Sequence, residues 1–275
     1  MCGDKWQFLC ARLTVPMDYN RPLNVSPHFP KVHIALLMAP GSHSLRGNFS
    51  QSPFLINPGG PGGSGTWIAT LISKYIQIIV GAEQDVVGFD PRGIAATTPR
   101  ADCFSDPLQY SEPGAEYGFG DVDYLGGFYK RMSWLLAGTS IGLINSSAVA
   151  LSKLDARGRT LGKLCAQKDW LHGENSIYRH IQTPNVARDM ISIIDAWDEW
   201  KESGFLIKDS SYNRKYANRD LTSGVLPTAS DIKVADDSVD SKYSLDTKGK
   251  LLYWGFSYGV SNTSTTTKPE LTLLI

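Results

Sequence analysis

Near one end of the chain, Leu251-Leu252-Tyr253-Trp254 is a short apolar run that leads into Gly255-Phe256-Ser257-Tyr258-Gly259. Gly-x-Ser-x-Gly after a strand is the pattern of a serine set on a sharp strand-to-helix turn, where its hydroxyl can attack a carbonyl. Such a turn holds the serine in a strained backbone conformation. Glycines two positions to either side remove the Cβ atoms that would clash there. A second stretch has matching chemistry. Asn57-Pro58-Gly59-Gly60-Pro61-Gly62-Gly63-Ser64-Gly65 lets a backbone approach a substrate closely and offer N–H groups to an oxyanion.

Those two stretches need elements to hold them. Residues 7–16 and 31–37 read as strands separated by the Asn20-Arg21-Pro22 turn, and Phe54-Leu55-Ile56-Asn57 is a third strand that opens into the glycine loop. A helix is expected next, because Trp67, Leu71, Tyr75 and Ile79 recur at i+4 with Ile68, Ile72 and Ile76 beside them, predicting an apolar stripe toward the core. Asp85-Val86-Val87-Gly88-Phe89 reads as a fourth strand, ending in Asp90-Pro91-Arg92-Gly93. Strand, loop, helix, strand is a parallel crossover, so the fold class is α/β. Further on, helices are expected near 121–137 and 148–168. Another begins with Thr183 as N-cap, Pro184 in the first turn and Val186, Met190, Ile193 and Trp197 as its core face. Asp90 and Arg92 are expected to tie loops together rather than to touch substrate.

Composition narrows the function classes. The 275 residues contain 42% hydrophobic and 20% charged residues, with Lys+Arg 27 balancing Asp+Glu 27. No basic run points to nucleic acid, and the apolar-leaning stretch from Trp67 to Val80 is too interrupted to span a membrane. No signal peptide is legible at Met1, and oligomeric state is left open. Cys2, Cys10, Cys103 and Cys165 lack the close pairing of a zinc or redox site; they are either buried thiols or include a Cys103–Cys165 disulfide. No metal or other cofactor is expected. Four Asn-x-Ser sequons, at Asn24, Asn48, Asn145 and Asn262, fit a secreted protein.

Taken in order, the glycine loop, Gly88-Phe89-Asp90-Pro91-Arg92-Gly93, Thr183-Pro184-Asn185-Val186-Ala187-Arg188-Asp189 and the Ser257 turn form one set. With Cys10-Ala11-Arg12-Leu13-Thr14-Val15-Pro16-Met17-Asp18-Tyr19, the set resembles the tripeptidyl/prolyl aminopeptidase family of α/β-hydrolase serine peptidases. The likeness spans residues 5–202 and 250–259. It implies an α/β-hydrolase fold, a mostly parallel sheet with a helical insertion. It also implies a serine hydrolase that removes residues from the free N-termini of peptide substrates through an acyl-enzyme. Ser257 is then the nucleophile, and the backbone N–H groups of Gly59, Gly60 and Tyr258 are the oxyanion donors. The resemblance would also place the protein outside the cell.

The likeness stops after Gly259. Val260-Ser261-Asn262-Thr263-Ser264-Thr265 is poor helix material where the family has an apolar helix. In α/β-hydrolases the acid and the histidine follow the serine, whereas His28, His33, His43, His172 and His180 all precede Ser257. The expectation is a chain that holds only the N-terminal part of the fold, lacks the catalytic acid and base, and turns over little, since triad loss costs about 10⁴–10⁶ in rate. Its last strand would be left as an unpaired edge. Val260-Ser261 can be encoded by GTAAGT, an intron donor sequence, which makes residues 260–275 a candidate for translated intron.

The division expected is a core with the oxyanion loop over 1–100, a helical insertion over 101–182, a core helix over 183–202, a polar insertion, either exposed or disordered, over 203–249, the Ser257 strand and turn over 250–259, and a tail unlike the family over 260–275. Competing readings are an inert or binding-only half-hydrolase, an esterase-type hydrolase, and a dinucleotide-binding domain. In the last, Gly60-Pro61-Gly62-Gly63-Ser64-Gly65 would be the phosphate loop and Asp85 the ribose acid.

Overall fold

The computed structural model describes residues 8–44, 47–105, 124–203, 246–265 and 271–273. The expected insertion over 203–249 and part of that over 101–182 lie largely outside them. Among the described residues six strands form one mixed sheet, β1 (Leu9–Pro16), β2 (Lys31–Ala39), β3 (Phe54–Asn57), β4 (Val86–Phe89), β5 (Leu251–Gly255) and β6 (Leu271–Leu273), in the order β1-β2-β4-β3-β5-β6. The β1–β2 and β2–β4 pairs are antiparallel, and β4, β3, β5 and β6 run parallel. Helices α1 (Gly65–Val80), α2 (Tyr124–Thr139), α3 (Ala150–His172) and α4 (Thr183–Glu202) complete the framework. The class is α/β.

Strand alternation divides the core in two. Leu55, Val87, Phe89, Leu251 and Tyr253 point to one face and pack with Val186, Met190, Ile193, Ile194 and Trp197 of α4. Phe54, Ile56, Val86 and Leu252 point to the other and pack with Ala69 and Ile76 of α1. Each of the short central strands is therefore apolar at nearly every position, as strands covered on both faces must be.

Helix α1 is present, and Ile76, with Ile68 and Ile72 beside it, packs on the core as expected, but the rest of the stripe does not. Trp67, Leu71, Tyr75 and Ile79 are each at least half exposed, and the buried positions are Gly65, Ala69, Ser73, Ile76 and Gln77. Close approach to the sheet decides this. A Cβ at Gly88 would stand 2.1 Å from the Gly65 carbonyl oxygen and 2.6 Å from the Ala69 Cβ, so only small residues fit the contact. Gln77 then donates its amide to the carbonyls of Ala39, Pro40 and Gln84.

Two further expectations change. Gln182, not Thr183, is the N-cap of α4, because its carbonyl already accepts the N–H groups of Asn185 and Val186. The final strand of the elbow is not an open edge, since β5 pairs with β6 through Leu251↔Leu271 and Tyr253↔Leu273. Residues Ser257–Thr265 form a 3₁₀ helix rather than an α-helix. Of the two alternatives for the cysteines, the structure has the Cys103–Cys165 disulfide, which fastens α3 to the loop beyond β4, and Cys10 is disulfide-bonded as well.

A buried ion pair locks α4 to the sheet. Arg92 donates through Nε and Nη2 to the Asp189 carboxylate at 2.8 and 2.6 Å, and through Nη1 to the Met17 carbonyl at 2.7 Å. The Tyr19 hydroxyl donates to the same carboxylate at 2.7 Å. Both charged side chains are fully buried. Burial pushes the Asp189 carboxyl upward and the Arg92 hydrogen bonds pull it back. Removing one partner strands the other charge, so Arg92→Met is expected to cost about 3–5 kcal/mol in urea unfolding. The Arg92→Met/Asp189→Leu double variant should recover part of that loss. A single-variant cost under about 1 kcal/mol would contradict the arrangement.

Candidate active site

The parallel pairing of β3 with β5 brings the two chemical stretches together. Asn57 is opposite Gly255 in register, and the chain leaves both strands at the same end of the sheet. Past that end, the Phe256 N–H donates to the Asn57 carbonyl at 3.0 Å, which extends the ladder into the turn. Ser257 follows with φ 53°, a left-handed conformation that non-glycine residues seldom adopt and that the surroundings must impose. It is exposed.

The flanking glycines do what their spacing predicts. A Cβ at Gly255 would meet the Gly259 carbonyl carbon at 2.6 Å and the Tyr253 ring at 2.8 Å, and one at Gly259 would meet the Asn57 carbonyl oxygen at 2.9 Å. The Tyr253 hydroxyl, buried under the turn, donates to the Gly259 carbonyl at 2.7 Å. The Gly259 N–H returns to the Phe256 carbonyl at 2.8 Å. Ser257 is thereby clamped from both sides.

Gly59 rests directly on this turn. Its φ is 80°, and an added Cβ would lie 2.2 Å from the Phe256 carbonyl oxygen and 2.9 Å from the Tyr258 nitrogen. The Gly59 N–H is already engaged, donating to the Asn57 Oδ1 at 2.8 Å in a buried Asx turn. The N–H groups of Gly60 and Tyr258 have no hydrogen-bond partner among the described residues, and both residues are exposed. Ser257, Gly59, Gly60 and Tyr258 are thus adjacent, with Gly59 as the seat of the loop and the other two N–H groups open.

Behind the loop, Asp90 accepts from Ser64 Oγ at 2.7 Å, from the Thr66 N–H and hydroxyl at 3.0 Å each, and from the Ala96 N–H at 2.9 Å. Ser64 in turn caps α1 by accepting the Trp67 N–H at 3.1 Å. A carboxylate at a helix N-terminus is favoured by the helix dipole as well as by these donors. Asp90 and Arg92 both hold structure, as the sequence suggested. Three contacts were not legible: the Asn57 amide, the Tyr253 hydroxyl, and a hydrogen bond between the Thr183 and Tyr258 hydroxyls. Only the first left a signal, Asn two residues before Gly, which is an Asx-turn spacing.

Among the described residues no base is hydrogen-bonded to Ser257. Its hydroxyl has no hydrogen-bond partner among the described residues, and the His33 ring is engaged with Thr14 on β1 at 2.9 Å. Among the described residues no group of three or more His, Cys, Asp or Glu is placed to hold a metal ion. Asp85 does not suit the ribose of a dinucleotide. It precedes β4, at the opposite end of the strand from the glycine loop, and is fully buried. There it accepts the Gly41 N–H at 2.8 Å, the Ser44 hydroxyl at 2.5 Å and the Ser50 N–H at 2.8 Å. Among the described residues no helix is long and apolar enough to cross a membrane.

No family model matches the chain. It is similar to the serine protease Hip1 of Mycobacterium tuberculosis, 38% identical over 98 residues that cover 36% of this chain and 17% of that protein. It is also similar to the tripeptidyl aminopeptidase of Streptomyces lividans, 33% identical over 106 residues, 36% of this chain and 18% of the relative. A third relative is carboxylesterase B of Mycobacterium tuberculosis, 28% identical over 128 residues, 45% of this chain and 23% of the relative. The chain matches about a fifth of the length of these curated relatives. All three are α/β-hydrolase serine hydrolases, the group that the motif set resembles.

Two predictions follow from the packing. Tyr253→Phe leaves the buried Gly259 carbonyl without its donor and should cost about 1–3 kcal/mol, with no cost expected if the hydroxyl were idle. His172 and His180 both lie below the ordinary histidine value. Burial is the main cause at each; the Lys168 charge adds to it at His172, and the Asp18 carboxylate opposes it at His180. On acidification the unfolded chain takes up these protons first, so their stabilisation is complete above about pH 6.5 and lost as pH falls through the folded values. The thermal midpoint should drop on acidification through this window, and less steeply in His172→Gln. An identical slope would contradict the assignment.

Proposed function

We propose that this chain carries the nucleophile and oxyanion elements of an α/β-hydrolase serine peptidase acting on peptides with a free N-terminus. The observation that carries the reading is the left-handed Ser257 with Gly59 seated on its turn. In the proposed reaction the Ser257 Oγ attacks a carbonyl carbon and the N–H groups of Gly60 and Tyr258 receive the oxyanion. Collapse of the tetrahedral intermediate then expels the amine, which leaves with the proton given up by the Ser257 hydroxyl, and an acyl-enzyme remains for water to cleave. Each preorganised donor of this kind is worth about 10²–10³ in rate. The Asn57 amide engages the Gly59 N–H, so Gly60 takes the oxyanion role the motif offered to both glycines. The substrate class rests on the protease and aminopeptidase relatives. An ester substrate, as the carboxylesterase relative would suggest, is the second reading.

A serine hydroxyl needs a base to become an effective nucleophile. Ser257 has none among the described residues, and all five histidines precede it. Residues 1–275 by themselves are therefore proposed to turn over about 10⁴–10⁶-fold less than an intact triad would. An inert or binding-only role is the corresponding alternative for the chain acting alone.

Fluorophosphonate labelling followed by peptide mapping tests both halves of the proposal. The expected result is slow labelling at Ser257, abolished in Ser257→Ala and accelerated by added imidazole, which supplies the missing base. Rapid stoichiometric labelling without imidazole would show that a base is present after all. Labelling that persists unchanged in Ser257→Ala would remove Ser257 as the nucleophile.

A further inference from the structure

Three of the four Asn-x-Ser sequons fall on residues whose side chains are described, and all three are open to solvent. Asn24 lies in the turn between β1 and β2, Asn48 in the loop before β3, and Asn145 at the tip joining α2 to α3. All three are exposed and outside every strand and helix, and their amide groups have no hydrogen-bond partner among the described residues. The buried Asn57 and the half-buried Asn185, which belong to no sequon, both spend their side chains on hydrogen bonds.

A second, independent observation is the oxidation state of the cysteines. Cys10, Cys103 and Cys165 are all disulfide-bonded, and such bonds persist in oxidising compartments. A third is local to one sequon. Asn145 sits among Leu143, Ile144 and Val149, which are 75%, 65% and 50% exposed, an apolar tip that none of the described residues covers. A bulky, solubilising group on Asn145 would screen it.

We propose that Asn24, Asn48 and Asn145 are N-glycosylation sites, and that the glycan on Asn145 covers the apolar tip of the α2–α3 hairpin. The donor is a lipid-pyrophosphate-linked oligosaccharide. The asparagine side-chain nitrogen bonds to the anomeric carbon as the bond from that carbon to the pyrophosphate oxygen breaks. The lipid pyrophosphate departs, and the amide proton passes to a base of the transferase. Nothing is oxidised or reduced.

The test uses the protein recovered from its native host, treated with peptide N-glycosidase and mapped by peptide mass. The expected result is a shift to faster mobility, with Asn24, Asn48 and Asn145 converted to Asp. Asn145→Gln and Ser147→Ala should each remove the same single glycan, the second with the asparagine intact. Both variants should also bind more of an apolar dye than the parent. Unmodified asparagines at these positions in material whose Cys103–Cys165 disulfide is intact would overturn the proposal. So would a Ser147→Ala variant that keeps the glycan. Every readout is a mobility, a mass or a dye signal, so the outcome is independent of whether Ser257 is a nucleophile.

Discussion

The candidate site depends on one constraint, the parallel pairing of β3 with β5. These strands are far apart in sequence, yet their ends carry the two segments proposed to take part in acyl transfer, the Gly59–Gly60 loop and the Ser257 turn. The ladder brings Asn57 opposite Gly255, and the Phe256 N–H bonded to the Asn57 carbonyl carries it one residue into the turn. Asn57 then does a second thing with its side chain, holding the Gly59 N–H. One buried residue thus fixes both the end of the glycine loop and the entry to the Ser257 turn. The left-handed Ser257 is tolerable only because this framework over-determines it.

Around that joint, polar groups rather than apolar ones set the loop positions. Asp90 gathers four donors from the start of α1 and the loop after β4, and Arg92 binds carbonyls on the β1 side together with the Asp189 carboxylate on α4. Buried charges of this kind add little net stability over a well-packed apolar alternative. They do specify a single arrangement, because any other leaves a desolvated charge unpaired. Apolar packing supplies the general cohesion, with α4 on one face of the sheet and α1 on the other.

Much of this was legible in the sequence where the signal is local. The strands came from compact apolar runs, and β3 was placed at its observed bounds, Phe54–Asn57. The Ser257 turn came from two glycines whose Cβ atoms would in fact collide with its backbone. Tertiary contacts decided what was not legible. Of the apolar stripe expected on α1, the row Trp67, Leu71, Tyr75 and Ile79 faces outward while Ile76 is buried and Ile68 and Ile72 pack on the core, because the small residues Gly65 and Ala69, opposite Gly88, let that side approach the sheet. Gln77 is buried there because carbonyls at the strand ends need a donor. The partner of β5 could not be foreseen, since Leu271–Leu273 is too short to announce a strand. Periodicity reports which residues are apolar, and close approach reports which of them are inside.

The most direct measurement is amide hydrogen exchange at single-residue resolution across residues 55–65 and 251–259. The account predicts slow exchange at Phe256 and Gly59, whose N–H groups are held by Asn57, beside fast exchange at Gly60 and Tyr258, whose N–H groups are left for an oxyanion. Fast exchange at Phe256 and Gly59 would mean that the loop and the turn are not joined. Slow exchange at Gly60 and Tyr258 would mean that the proposed oxyanion donors are already spent.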